Sequence, residues 1–128
     1  MKALRVLIVD DSAVMRKIVE RCLRQAGFEV KEVIEAGDGA EGLAAVQSGA
    51  MDLILSDINM PVMDGLQFLQ GLQGLENAKG TPVVMITTEG SESRVVEALS
   101  AGARGYIRKP FTPDQVKERI TPLINGGR

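Results

Sequence analysis

Short runs of branched aliphatic residues punctuate the chain at 6–9, 53–55 and 83–86, with a weaker apolar pair at Tyr106 and Ile107. Each run is too short for a helix and shows no polar alternation, the pattern of a strand buried on both faces. Around 30–34, Val30, Val33 and Ile34 are mixed with charges, which predicts a fifth strand at a sheet edge. Between these runs the apolar positions change to helical spacing. Val14, Met15, Ile18, Val19, Cys22, Leu23 and Ala26 form one stripe, while Arg16, Lys17, Arg21 and Arg24 mostly face away and Gly27 terminates the helix. Asp38 with Glu41 resembles a capping box ahead of Leu43, Ala44 and Val46. Leu66, Leu69, Leu72 and Leu75 mark a third helix after Asp64 and Gly65. Val95, Val96, Ala98 and Leu99 mark a fourth, entered through Ser91 or Ser93 and closed at Gly102. The last has Thr112 as N-cap and Pro113 at its first position, then Val116, Ile120, Leu123 and Ile124. Five alternations of strand and helix predict an α/β fold, a parallel sheet covered on both faces by right-handed crossovers.

Composition narrows the chemistry. The chain has 128 residues, 45% of them hydrophobic and 25% charged, the balance of one compact domain. Residues 1–125 are expected to form that domain and 126–128 a short tail. With no histidine and a single cysteine, Cys22, neither a zinc site of the usual kind nor a histidine-based triad can be assembled within one chain. Any metal must be held by oxygen. Cys22 and Met15, Met51 and Met85 read as core packing, and Met60 and Met63 flank the loop after Asp57. Seventeen acidic and fifteen basic residues leave a net charge of −2, which gives no bulk electrostatic reason to bind nucleic acid. The halves differ, with eleven acidic and seven basic residues in 1–64 and six and eight in 65–128. The aliphatic runs are far short of a membrane span, no basic-then-apolar leader opens the chain, and a cytoplasmic location is expected. G-x-G-x-x-G and P-loop fingerprints are absent.

The polar residues carry the functional signal by their position. Asp10 and Asp11 follow the first run, Asp57 the second, Thr87 the third, and Lys109 the pair at Tyr106. All lie at carboxyl ends of strands, where open parallel sheets bind ligands. Taken singly, each has an ordinary explanation. Asp10-Asp11 could be a turn or cap, Asp57 another cap, Thr87 a strand end and Lys109-Pro110 a solvated loop. Together they fit that explanation poorly. Two unit charges 4 Å apart cost about 4 kcal/mol at an effective dielectric of 20, so three converging carboxylates call for cations or raised pKa values. Lys109 supplies one charge, and Mg²⁺ suits a site with few ligands, all oxygen. A cation pair beside a carboxylate suits phosphoryl transfer, with Asp57 as the nucleophile.

The ordered set Asp10-Asp11, Asp57, Met60-Pro61, Met63-Asp64-Gly65, Thr87 and Lys109-Pro110-Phe111 resembles the receiver domain of two-component response regulators across essentially the whole chain. Ser56 to Pro61, Thr87-Thr88-Glu89 and Gly105 to Thr112 are most similar to its stand-alone chemotaxis members. The resemblance implies a doubly wound, flavodoxin-like (βα)5 receiver fold with sheet order 2-1-3-4-5. It implies that Asp57 accepts a phosphoryl group from a histidine kinase, with Thr87 and Lys109 binding the phosphoryl oxygens. Mg²⁺ would be held by Asp11 and Asp57, by the Asn59 carbonyl, and by Asp10 mostly through water. Asn59 and Glu89 would tune the lifetime of the phosphoryl group. Thr87 would move inward on phosphorylation and Tyr106 would turn from an exposed to a buried rotamer. The fourth helix, last strand and fifth helix, including Glu92, Val95, Tyr106, Arg108, Thr112 and Arg119, would then meet a partner.

The resulting expectation is a monomeric signalling protein, catalysing only its own phosphorylation and dephosphorylation. Its expected output is binding to the flagellar motor switch, with a phosphatase as a further partner and no nucleic acid or membrane partner. A receiver in another two-component pathway or phosphorelay is the alternative. A Mg²⁺-dependent phosphatase for small phosphoesters lacks an acid/base histidine and a cap segment. A pseudo-receiver is at odds with intact Asp57, Thr87 and Lys109.

Overall fold

The computed structural model describes residues 3–88 and 92–125. Strands β1 (Leu4–Val9), β2 (Val30–Ala36), β3 (Leu53–Ser56), β4 (Val83–Thr87) and β5 (Gly105–Arg108) alternate with helices α1 (Ala13–Gln25), α2 (Gly39–Ser48), α3 (Gly65–Leu72), α4 (Glu92–Ser100) and α5 (Pro113–Asn125). All strand pairs are parallel and the order is β2-β1-β3-β4-β5, so the charged strand at 30–34 lies at an edge as its composition predicts.

The unbroken apolar runs follow from this placement. In β1, Leu4, Val6 and Ile8 point into a core shared with Val19 and Leu23 of α1 and Val116 and Ile120 of α5. Leu7 and Val9 point the other way, into a core with Val46 of α2, Phe68 and Leu69 of α3 and Ala98 of α4. Leu53, Leu55, Val84 and Ile86 join the first core, and Ile54, Val83 and Met85 the second. Apart from Arg5, the side chains of β1, β3 and β4 are thus buried, each fully buried apolar one contributing about 1.5–3 kcal/mol. Cys22 packs in the first core, where burial pushes its thiol pKa up.

Several local expectations need correction. Within the α1 stripe, Val14 and Ile18 are 71% and 43% exposed, because the sheet covers only the narrower face centred on Val19, Cys22 and Leu23. The stop is as expected, with Gly27 at φ 99°. At α2, Asp38 accepts from the Glu41 amide at 2.9 Å, but the Glu41 carboxylate turns to the Gly37 amide at 2.7 Å. It bonds one residue upstream of the N-cap. A reciprocal capping box forms instead at α3, between Asp64 and Gln67. Leu75 lies beyond α3, which ends at Leu72, and leads into a short 3₁₀ turn at Glu76–Ala78. Ser93 is inside α4 and is not its cap, while Ser91 lies outside the described residues. At α5 the Gln115 amide donates to Thr112 Oγ1 at 3.2 Å, so Thr112 caps as expected.

Candidate functional site

The sheet brings the strand ends together. The Asp10 amide donates to the Ala36 carbonyl at 3.0 Å, and the Asp57 amide to the Val9 carbonyl at 2.9 Å, so both aspartates continue their strands at one edge of the sheet. The loop after Asp57 is closed by the Gly65 amide donating to the Ile58 carbonyl at 2.7 Å. Glycine is required there by close approach: a Cβ at Gly65 would overlap the Asp57 carbonyl oxygen and lie 2.8 Å from the Ile58 Cα. Within the loop the Met63 amide donates to the Pro61 carbonyl at 2.6 Å, which holds Val62 at φ 67° and leaves its side chain 84% exposed. The Gly39 amide donates to the Met63 carbonyl at 2.9 Å and ties the loop to the start of α2. Met60 and Met63 pack against the second core.

Asp10 and Asp57 are nearly buried, and Lys109 reaches between them. Its Nζ donates to Asp10 Oδ2 at 3.0 Å and to Asp57 Oδ2 at 3.1 Å. Asp10 Oδ1 accepts from the Ser12 amide at 2.9 Å, and Asp57 Oδ1 from the Ile58 amide at 2.7 Å. Burial pulls the Lys109 pKa down, but the hydrogen bond to Asp10 and the charge and hydrogen bond of Asp57 outweigh it, and the net shift is upward. The ammonium is therefore held charged.

Asp11 is exposed at the mouth. Among the described residues, one carboxylate oxygen from each of Asp10, Asp11 and Asp57 lies within 4.8 Å of the others. Three acidic oxygens so close, with only Lys109 between two of them, fit a hard divalent cation such as Mg²⁺. Asn59 is exposed just beyond Asp57. Thr87 is fully buried at the end of β4, and its carbonyl accepts from the Lys109 amide at 2.9 Å. Tyr106 pairs with Met85 across β4 and β5, packs against the second core and is half-buried. With Arg108 and Arg119 it lines a groove of about 390 Å³ between β5 and α5. Of the remaining predicted surface, Glu92 and Thr112 are exposed and Val95 is half-buried. Glu89 lies outside the described residues.

Sequence patterns alone missed one part of this site. Arg16 is assigned to the outer face of α1, yet its Nη1 donates to the Asp10 carbonyl at 2.5 Å and its Nε to Glu35 Oε1 at 2.7 Å. Lys17 Nζ donates to Glu35 Oε2 at 2.7 Å. These hydrogen bonds and charges hold the Glu35 carboxyl below its ordinary pKa. Helical spacing marks Arg16 only as not apolar, and nothing local announces its partner at the end of β2.

The response regulator receiver domain family matches residues 6–121. The chain is 41% identical over 123 residues to chemotaxis protein CheY-3 of Vibrio cholerae serotype O1, covering 96% of this chain and 93% of the relative. It is 39% identical over 126 residues to chemotaxis protein CheY of Pseudomonas aeruginosa, covering 96% and 100%. Its fold is similar to the solved structure of chemotaxis response regulator CheY4 of Vibrio cholerae, with TM-score 0.83, 38% identity and coverage of 95% and 99%. It is also similar to the CheY chain of a CheX–CheY–BeF3–magnesium complex from Borrelia burgdorferi, with TM-score 0.82, 31% identity and coverage of 93% and 87%.

Proposed function

The chain belongs to the response regulator receiver family, and from that premise we propose that it accepts a phosphoryl group on Asp57 from a histidine kinase and signals by binding a partner, most directly the flagellar motor switch in chemotaxis. The observation that carries the reading is the Lys109 ammonium set between Asp10 and Asp57 at 3.0 and 3.1 Å. It neutralises part of the acidic cluster, so that an anionic phosphoryl group can approach a carboxylate that would otherwise repel it.

In this reading an oxygen of Asp57 forms the new P–O bond as the bond from phosphorus to the donor breaks, and the donor leaves with that electron pair. Asp10, Asp11 and Asp57, with the Asn59 carbonyl, are the residues that would hold Mg²⁺. When bound, the ion supplies positive charge opposite the phosphoryl oxygens. Lys109 pairs with one of those oxygens, and the Thr87 hydroxyl hydrogen bonds to another. The Ile58 amide on Asp57 Oδ1 keeps the carboxylate oriented during transfer. Asn59 and Glu89 tune how fast water returns the site to its starting state.

Phosphorylation adds about −1.5 to −2 charge and three acceptor oxygens, which draws Thr87 inward and biases Tyr106 toward the core. The groove beside Tyr106, Arg108 and Arg119 supports a partner surface next to that switch, together with Val95 of α4. The two chemotaxis relatives are matched over 93% and 100% of their lengths, which supports a receiver unit over 1–125 that acts by binding. The Borrelia burgdorferi complex supports both magnesium and a protein partner.

The test is intact-mass measurement after incubation with acetyl phosphate and Mg²⁺. One added phosphoryl group is expected in the wild type and none in Asp57→Asn. A wild type without an adduct would overturn the reading.

A further inference from the structure

Asp10 is fixed at all of its hydrogen-bonding groups. Its amide donates to the Ala36 carbonyl at 3.0 Å, Oδ1 accepts from the Ser12 amide at 2.9 Å, and Oδ2 accepts from Lys109 at 3.0 Å. Its carbonyl accepts from Arg16 Nη1 at 2.5 Å. That carbonyl shares a rigid peptide plane with the amide of Asp11. Whatever orients the Asp10 carbonyl therefore sets the direction in which Asp11 leaves the strand. Asp11 itself is exposed, so its place among the three converging oxygens depends on its backbone.

Arg16 is in turn held in place. Its side chain is only 18% exposed, and its Nε is bound at 2.7 Å by Glu35, which also receives Lys17 at 2.7 Å. The planar guanidinium donates from two nitrogens at once, one to the strand end and one to the carboxylate, which a lysine ammonium on its flexible stem cannot reproduce in the same geometry.

We propose that Arg16, anchored by Glu35, is a positioning residue that sets the Asp10–Asp11 peptide and through it aims Asp11 into the divalent-cation site. The inference rests on the Mg²⁺ reading of the acidic cluster and adds to it a residue that touches neither the metal nor the phosphoryl group. It opposes simple electrostatics. Arg16 is a cation near three carboxylates, so if only its charge mattered, removing it would tighten Mg²⁺ binding. If it positions Asp11, removing it loosens Mg²⁺ binding despite the gain in negative potential. Groups that orient metal ligands typically contribute about 10- to 100-fold to metal affinity.

The experiment is Mg²⁺ titration, by calorimetry and by amide NMR shifts, of the wild type, Arg16→Met and Arg16→Lys. Each variant is first checked by circular dichroism and urea unfolding in metal-free buffer. The expected result is Mg²⁺ affinity about tenfold or more weaker in both variants, with the acetyl phosphate adduct recovering at saturating Mg²⁺. A folded Arg16→Met that binds Mg²⁺ as tightly as the wild type or more tightly would overturn the positioning role. So would an Arg16→Lys indistinguishable from the wild type, because retained charge would then suffice. A variant that fails to fold is replaced by Glu35→Gln, which leaves Arg16 in the chain but weakens its anchor. The same weakening is expected there, and unchanged Mg²⁺ affinity overturns the proposal. A wild type that shows no saturable Mg²⁺ signal would instead remove the metal reading itself, and the role of Arg16 with it.

Discussion

Two ionic groupings flank the strand ends, and they respond to pH in opposite directions. Lys109 has a folded-state pKa above its ordinary 10.5, so its stabilising contribution is complete below 10.5 and is lost only as pH rises through the higher folded value. It stays charged throughout the neutral range in which phosphoryl transfer would occur. Glu35 has a folded-state pKa below its ordinary 4.5, through hydrogen bonds from Lys17 and then Arg16. Its contribution is present above 4.5 and disappears as pH falls through the lower folded value. In urea unfolding, Glu35→Gln is therefore expected to be less stable than the wild type at pH 7, with the gap closing below pH 4.5. A gap that does not narrow at all as pH falls below 4.5 would show that Glu35 acts by packing and not by charge. None of this is visible in a list of charged residues, since Lys17, Arg21 and Arg24 on the same helix look equivalent to Arg16 until the fold gives Arg16 its partners.

The element that frames the site most tightly is the loop from Asp57 to α3. Gly65 at its end permits the close approach to the Asp57 carbonyl, and the Asp64–Gln67 capping box starts the helix directly behind it. In the middle, Val62 is a β-branched residue at φ 67° with its side chain 84% exposed. A left-handed conformation costs a non-glycine residue about 1–2 kcal/mol, and asparagine tolerates it far better than valine. Val62→Asn is expected to raise unfolding stability by about 1 kcal/mol in urea titration, without loss of the acetyl phosphate adduct. A destabilised variant would mean that the valine side chain has packing the exposed loop does not suggest. Helix boundaries show the same division of signals. Thr112-Pro113 is local chemistry and reads directly as a helix start. The exact partner of Glu41 depends on where Gly37 is delivered by β2, which local spacing cannot supply.

Across the whole molecule, the acidic site and the expected partner surface are joined by two neighbouring strands. Met85 pairs with Tyr106 and Thr87 with Arg108, so the proposed movement at the end of β4 would act on backbone directly adjacent to β5. Tyr106 is half-buried against the second core. For the beryllofluoride-activated protein, Tyr106→Ala is expected to keep the acetyl phosphate adduct while capturing markedly less partner protein by affinity pull-down. Equal capture would remove Tyr106 from the switch. Among the described residues no helix is long and apolar enough to cross a membrane, and the groove proposed to meet a partner lies between β5 and α5.

Sequence alone was enough to place the five strands, the five helices and the polar residues at the strand ends. Buried parallel strands, helix caps and turns are written in residues only one to four positions apart. The edge position of β2 was legible too, because its charges cannot be buried on both faces. Only the tertiary structure decided which of those polar groups meet. Lys109 and Asp10 are 99 residues apart, Lys109 and Asp57 are 52 apart, and Arg16 and Glu35 are 19 apart. Such pairings depend on sheet order and register, and sheet order is a property of the assembled chain. For the same reason Val14 and Ile18 satisfy the helical stripe yet face solvent. The width of a helix's buried face is set by the sheet it lies on, and the helix's own sequence carries no record of it.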